Sequence, residues 1–363
     1  MHFRLNRRAT GIVAAGMAAA AVTATAGPAV AAPAGPRAVP PACTYRLDTR
    51  LPIPAGEQQA AVTGTDGAAT FIGTASTLVF DAPFHAVVWR NGVATELPTP
   101  AGFSSVAEAI NHRGDVVGLI TELGGNSVPV LWRGGRLIEL AHDPKESALA
   151  EGINDAGQIV GTANVGGPSD QTRGVAWSVN APTQVTGIPT PAGFGWGSAT
   201  SILADGTLVA DIFPLDPAAA DTIGIGTVAG LRPVAAPAEA TGTVTPSGAA
   251  GAFVAGEYVT TVDTDVVGRA VRWKNGVPET LSPKLEASAT AVNSAGTTAG
   301  LQFAGLSPRA VVWTPDGALV PLPVITTGPT PTDSRAAAVT EDDAVGGTLA
   351  TAQGDRPVGW HCR

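Results

Sequence analysis

Two glutamates carry the most suggestive chemistry in this 363-residue chain. Glu108 stands in Ala107-Glu108-Ala109-Ile110-Asn111, and Glu151 in Ala150-Glu151-Gly152-Ile153-Asn154. Two carboxylates in matching settings, brought side by side, could share a cation or act as an acid/base pair on a glycan. The alternative is that they accept hydrogen bonds from neighbouring backbone amides or meet an arginine. Aromatic rings offer a second kind of contact. Trp89, Trp132, Trp177, Trp273, Trp313 and Trp360 recur at one repeat position, which points to packing rather than to sugar stacking. Trp196 falls outside that register, in residues 189–197 (PTPAGFGWG). With Phe194 beside it and Phe103 on the corresponding loop, it makes a candidate partner-contact patch, because loops on a rigid scaffold gather binding residues. The same rings could instead tuck under their own loops.

Other chemistries lack their signatures. His85, His112, His142 and His361 have no second His or Cys at zinc spacing. No G-x-S-x-G elbow and no phosphate-binding G-x-x-x-x-G-K-[ST] loop occurs. Asp263-Thr264-Asp265 and Glu341-Asp342-Asp343 do not complete a calcium loop and read as solvated turns. No metal and no cofactor is expected, and no catalytic residue beyond the two weak candidates Glu108 and Glu151.

The elements that must position these residues show in residues 85–118, HAVVWRNGVATELPTPAGFSSVAEAINHRGDVVG. Ala86 to Trp89 is apolar and β-branched. Asn91-Gly92 is the pair a type I′ hairpin turn requires, and Val93 to Leu97 returns from it. The Pro98–Gly102 run breaks the pattern, since proline cannot donate to a ladder. Val106 to Ile110, a turn at Asn111 to Gly114, and Val116-Val117 complete four short strands, the size of one propeller blade. The unit recurs at 130–161, 175–210, 270–300 and 310–347, and weakly at 225–254. Two fragments are left over. Residues 45–73 lack the Trp strand, and residues 357–360 are a lone Trp strand. Together they make a seventh unit.

The expected fold is therefore all-β: a seven-bladed β-propeller of four-stranded antiparallel blades, closed by a blade shared between the N- and C-terminal strands. Closure removes exposed sheet edges. Small residues belong where blades narrow, so the Ala107–Ile110 type of strand is placed innermost, and the Leu97 type outermost. Glu108 and Glu151 then sit on inner strands of adjacent blades, with Ala60, Thr200, Gly242, Thr290 and Ala337 as the expected counterparts. Cys43 and Cys362 flank the first and last strands and are expected to form one structural disulfide. The rim carrying Phe103, Phe194 and the loop from Asp211 to Asp221 is the expected ligand face.

The repeat also resembles a known family. His85-Ala86-Val87-Val88-Trp89, Leu97, Ala107, Ala109-Ile110-Asn111, Gly114 and Val116-Val117-Gly118 are similar to the extracellular HAF-type repeat, over most of residues 43–362. Val87 stands where that repeat has Phe, and Pro-Thr-Pro-Ala-Gly replaces its Gly-rich loop. The resemblance implies a secreted, propeller-like repeat protein and carries over no catalytic residue.

Composition agrees with an exported globular chain. The apolar fraction is 44% and the charged fraction 14%, enough for a core and against disorder. Residues 1–31 read as a signal peptide: Arg4, Arg7 and Arg8, an Ala-rich run, then Ala29-Val30-Ala31. The Arg7-Arg8 pair also permits twin-arginine export. Losing three arginines and no acids takes the net charge from −9 to −12, against nucleic-acid binding. Residues 32–42 form an Ala/Pro-rich leader, and 43–363 the repeat domain. No further run is long enough to span a bilayer. The expected function is a secreted, monomeric binding scaffold for a cell-envelope glycan or protein. The alternative is a polysaccharide hydrolase or lyase working at the channel mouth.

Overall fold

The computed structural model describes residues 43–48, 51–165, 171–216, 219, 221–305, 307–324 and 333–363. The expected signal peptide and leader, residues 1–42, lie outside the described residues. Among the described residues the repeat domain has 28 strands in seven four-stranded antiparallel sheets. It is a seven-bladed β-propeller.

Blade I runs from inside to outside as Gln59–Thr65, Thr70–Ser76, Phe84–Arg90 and Val93–Glu96. Blades II to VI repeat that order along the chain, over residues 103–139, 147–188, 194–234, 244–280 and 287–321. Blade VII is composite: Ser334–Val339, Val345–Thr351 and Gly354–Cys362 come from the C-terminal end, and Tyr45–Asp48 adds the outer strand from the other end. Tyr45 lies opposite Cys362 and Asp48 opposite Gly359. Cys43 and Cys362 are disulfide-bonded across 319 residues, with Cα atoms 5.4 Å apart.

Local chemistry explains why the repeat makes these sheets. Asn91 and Gly92 have φ of 53° and 76°, the left-handed pair that a tight hairpin needs. The six register tryptophans are buried. The indole N–H of Trp89 donates to Pro52 O at 2.7 Å, Trp132 to Pro98 O at 2.8 Å, Trp177 to Ala141 O at 2.7 Å and Trp360 to Pro323 O at 2.7 Å. Each acceptor follows the outer strand of the preceding blade, so these four Trp tie neighbouring blades together, whereas the buried indole nitrogen of Trp313 has no partner among the described residues. Asn111 works at the other end of the blade. Its Oδ1 accepts the amides of Arg113 and Asp115, closing its own turn, while its Nδ2 reaches Asn154 O of blade III. Asn154 and Asn293 make the same reach to Leu203 O and Thr340 O.

Blade IV departs from the pattern. The position paired with Leu208, where its siblings carry Trp, is Gly226. In four siblings the indole lies over a second-strand glycine: Gly73, Gly256, Gly300 or Gly347. Blade IV has Ala210 at that position, so the ring and the glycine that makes room for it are lost together.

Candidate functional site

The inner strands build the site through one repeated irregularity. Each inner strand slips by one residue against its neighbour, leaving one residue unpaired. The unpaired residues are Thr63, Glu108, Glu151, Thr200, Ser247, Thr290 and Ala337, one from each blade. A β-bulge of this kind re-aims a side chain. All seven residues line a single cavity of about 500 Å³ at the centre of the ring. The expected counterparts Thr200, Thr290 and Ala337 are in place. Ala60 and Gly242 are not; Thr63 and Ser247 occupy those positions. The bulge breaks the period-2 pattern on which the sequence alignment rested.

The hydroxyls in this ring act as latches. Thr63 Oγ1 donates to Ala107 O at 3.1 Å, Thr200 Oγ1 to Pro246 O at 3.4 Å and Thr290 Oγ1 to Ala336 O at 2.7 Å. Each acceptor precedes the bulge of the next blade. An ionised glutamate cannot donate, so it must use the neighbour differently. Glu151 Oε2 accepts from Thr162 Oγ1 at 2.6 Å and from Ala199 N at 3.0 Å, the amide just before the bulge of blade IV. Burial pushes the Glu151 carboxyl up to about 7; the charge of Glu108 adds to this, and the bonds from Thr162 and Ala199 oppose it. Glu108 is exposed to the cavity. The surrounding blades still strip part of its hydration and raise its carboxyl above the ordinary range.

The cavity mouth is formed by turns between first and second strands. Asp66, Asp155, Asp205 and Glu341 stand around it, and the lining contains no Lys, Arg, Phe, Tyr or Trp. Several of these acids also brace turns. Asp155 holds the backbone and ring of His112, both at 2.9 Å, and Glu341 accepts from the Ser294 amide. Asp343 accepts from Asn293 Nδ2, and Asp263 sits in a hairpin turn with φ of 56°. The acidic triplets thus lie at turns, with Asp265 opening the strand that follows the first of them.

The axial mouth lies at the rim opposite the expected ligand face. On that expected face, Phe103 and Phe194 begin the inner strands of blades II and IV and are half-buried. Phe103 packs against the core shared by blades I and II. Trp196 corrects the sequence reading: it is not in a surface loop but within the inner strand of blade IV, 1% exposed. A second slip between Trp196 and Ala199 puts it out of register. Its ring sits over Gly174 of blade III, where a Cβ would clash at 2.4 Å, and its indole N–H donates to Thr162 Oγ1 at 3.1 Å. Trp196 therefore holds the threonine that holds Glu151. A second pocket of about 580 Å³ lies on this rim, with Trp196, Asp211, Phe213 and Asp221 in its wall. Burial and the charge of Asp221 push the Asp211 carboxyl up to about 6. Sequence reasoning placed Asp211 at the start of a loop on this face without singling out its carboxyl, and it missed Phe213.

No protein-family model and no curated protein matches the sequence. Solved structures do. The propeller domain of the Trilobed protease from Pyrococcus furiosus, described as having an open velcro topology, is 10% identical with a TM-score of 0.52, covering 84% of this chain and 94% of that one. Oligogalacturonate lyase from Vibrio parahaemolyticus is 12% identical with a TM-score of 0.55, covering 88% and 97%. The likeness is one of fold. A puromycin hydrolase is 14% identical with a TM-score of 0.52; the match covers 84% of this chain and 52% of the hydrolase, so the propeller spans about half that enzyme's length.

Proposed function

We propose that this propeller is an exported binding scaffold that takes a positively charged group of a cell-envelope partner, a basic peptide segment, into its axial mouth. The carrying observation is the lining: two unpaired-strand glutamates inside, four more carboxylates around the mouth, and no Lys or Arg among the lining residues. A cation entering such a space regains for Glu108 and Glu151 the favourable field that burial removes. Phe, Tyr and Trp are absent from the described lining, which argues against sugar stacking there. The Cys43–Cys362 disulfide and the likeness to the HAF-type repeat support export. Among the described residues no helix is long and apolar enough to cross a membrane.

The test is fluorescence anisotropy with labelled lysine-rich, acidic and neutral peptides. The lysine-rich peptide should bind, with affinity falling as salt rises, and Glu108→Gln with Glu151→Gln together should weaken it at least about tenfold. Equal binding of all three peptides, or undiminished binding by the double variant, removes the proposal.

One observation favours a second reading, a hydrolase or lyase acting on polysaccharide. A carboxyl held near pH 7 beside a second carboxyl is suited to proton transfer. Against it, a polyuronate is anionic and the described lining offers it no Lys or Arg, its one histidine, His112, being held by Asp155. Release of unsaturated sugar ends from oligogalacturonate by the unmodified protein, and its loss in Glu151→Gln, would establish this reading instead.

A further inference from the structure

A separate cluster lies on the outer part of blade I. Glu57 precedes its inner strand, His85 is the second residue of its third strand and Glu96 ends its outer strand. Val87 pairs directly with Glu96. His85, two residues before Val87, therefore presents its side chain to the same face as Glu96. One potential ligand atom from each of the three residues lies within 4.8 Å of the others. Glu57 Oε1 is 2.7 Å from His85 Nδ1. The Glu57 side chain is only 7% exposed, and its Oε2 is buried with no hydrogen-bond partner.

Comparison with the other blades shows what is missing. Counting back four residues from the register Trp, the position of His85 is Arg173, Arg269, Arg309 and Arg356 in blades III, V, VI and VII. Arg173 holds Glu146 at 2.7 Å, and Arg356 donates to Gln58 O at 2.9 Å. These blades place a permanent cation there. Blade I has instead a histidine between two carboxylates, with one buried carboxylate oxygen unanswered. A buried carboxylate oxygen without a donor is a costly arrangement that a positive charge relieves.

We propose that Glu57, His85 and Glu96 bind a first-row divalent cation, with zinc the best match to one imidazole and two carboxylates. Zinc ligands in a tetrahedron stand about 3.4 Å apart. Rotation of the exposed Glu96 and the partly exposed His85 side chains brings the present spacing to that value. The ion ties the inner, third and outer strands of blade I together, as the arginine pairs do elsewhere. The expectation of no metal from sequence spacing missed the set because its ligands come from three separate segments. The signal was the histidine standing where sibling repeats carry arginine.

The test is calorimetric titration of the untagged chain with zinc chloride, with manganese chloride in parallel, and thermal melts with and without the ion. Wild type should bind one zinc per chain and melt higher in its presence. His85→Arg, which restores the cation of the sibling blades, should abolish zinc binding yet melt no lower than wild type when metal-free. Glu57→Gln should weaken zinc at least about tenfold. Glu96→Gln, at an exposed position that leaves folding intact, should do the same. Absence of stoichiometric zinc binding by wild type, or wild-type affinity in His85→Arg or Glu96→Gln, overturns the proposal.

Discussion

Glu151 shows how one residue can be held at odds with its surroundings. Its Oε2 has two good donors, Thr162 Oγ1 and Ala199 N, yet its carboxyl stays near 7 because burial outweighs them. The sign of the pH effect follows. A carboxyl whose folded pKa lies above its unfolded value binds its proton more tightly when folded. Its full stabilising effect is therefore present below the unfolded value, and is lost as pH rises from about 4.5 to about 7. The loss is at most about 3 kcal/mol and smaller to the extent that water in the cavity screens the charge. Glu151→Gln keeps an acceptor for Thr162 and Ala199 and removes the charge. Urea midpoints should show the variant gaining over wild type at pH 7.5 and little or nothing at pH 4.5. An equal gain at both values would mean that packing, not ionisation, sets the difference. Trp196 belongs to the same chain of contacts. The sequence shows it leaving the tryptophan register but not the second strand slip that carries it into the blade III–IV interface.

Among the elements, the bulge accounts for the axial ring, and in every blade but IV, which carries Ala210, the second-strand glycine beside it answers an inner-strand carbonyl. Where the inner strand slips, its carbonyl projects toward the second strand. A Cβ on Gly118 would stand 1.9 Å from Val106 O, and one on Gly161 1.9 Å from Leu149 O. No side-chain movement relieves a backbone oxygen, so Gly161→Ala should cost about 3 kcal/mol or more. Gly102→Ala, at φ of 86° with open space around it, should cost only about 1–2 kcal/mol from backbone strain. Denaturant titration of the two variants checks this, and similar costs would mean that the bulge of blade III gives way more easily than its geometry implies. The strand order, the hairpin at Asn91-Gly92 and the pairing of Glu108 with Glu151 were legible in sequence because apolar alternation and turn residues report local backbone directly. The ring members Thr63 and Ser247 were not, because a bulge changes which face a residue takes without changing composition. The blade I cluster of Glu57, His85 and Glu96 was hidden for a different reason: no local pattern joins residues from three separate segments.

At the scale of the whole ring, closure depends on a short element. The N-terminal outer strand is four residues long. Backbone bonds between Thr44 and Arg363, at 3.1 and 3.4 Å, extend its pairing by one step. Tyr45 adds a buried ring. Deeper in the seam, Ala338 of blade VII packs with Ala60, Val62 and Phe71 of blade I, and the Glu341 amide donates to Gly67 O at 2.9 Å. The seam therefore has two layers: an inner one held by inter-blade packing, and an outer one that four residues could not hold alone against the entropy of a free chain end. The disulfide secures the outer layer. Chain-entropy reasoning for a loop spanning 319 residues puts its contribution at up to about 5 kcal/mol. Replacing both cysteines by serine should thus lower stability by no more than that, while hydrogen exchange rises first at Tyr45–Asp48 and along Gly354–Cys362. Blades II to VI should keep their protection until global unfolding, because each has all four strands from one continuous segment. Exchange that rises together in all seven blades on loss of the bridge would show instead that the inner layer cannot hold the ring closed, and that the two sulfurs clasp the whole toroid rather than its outermost strand.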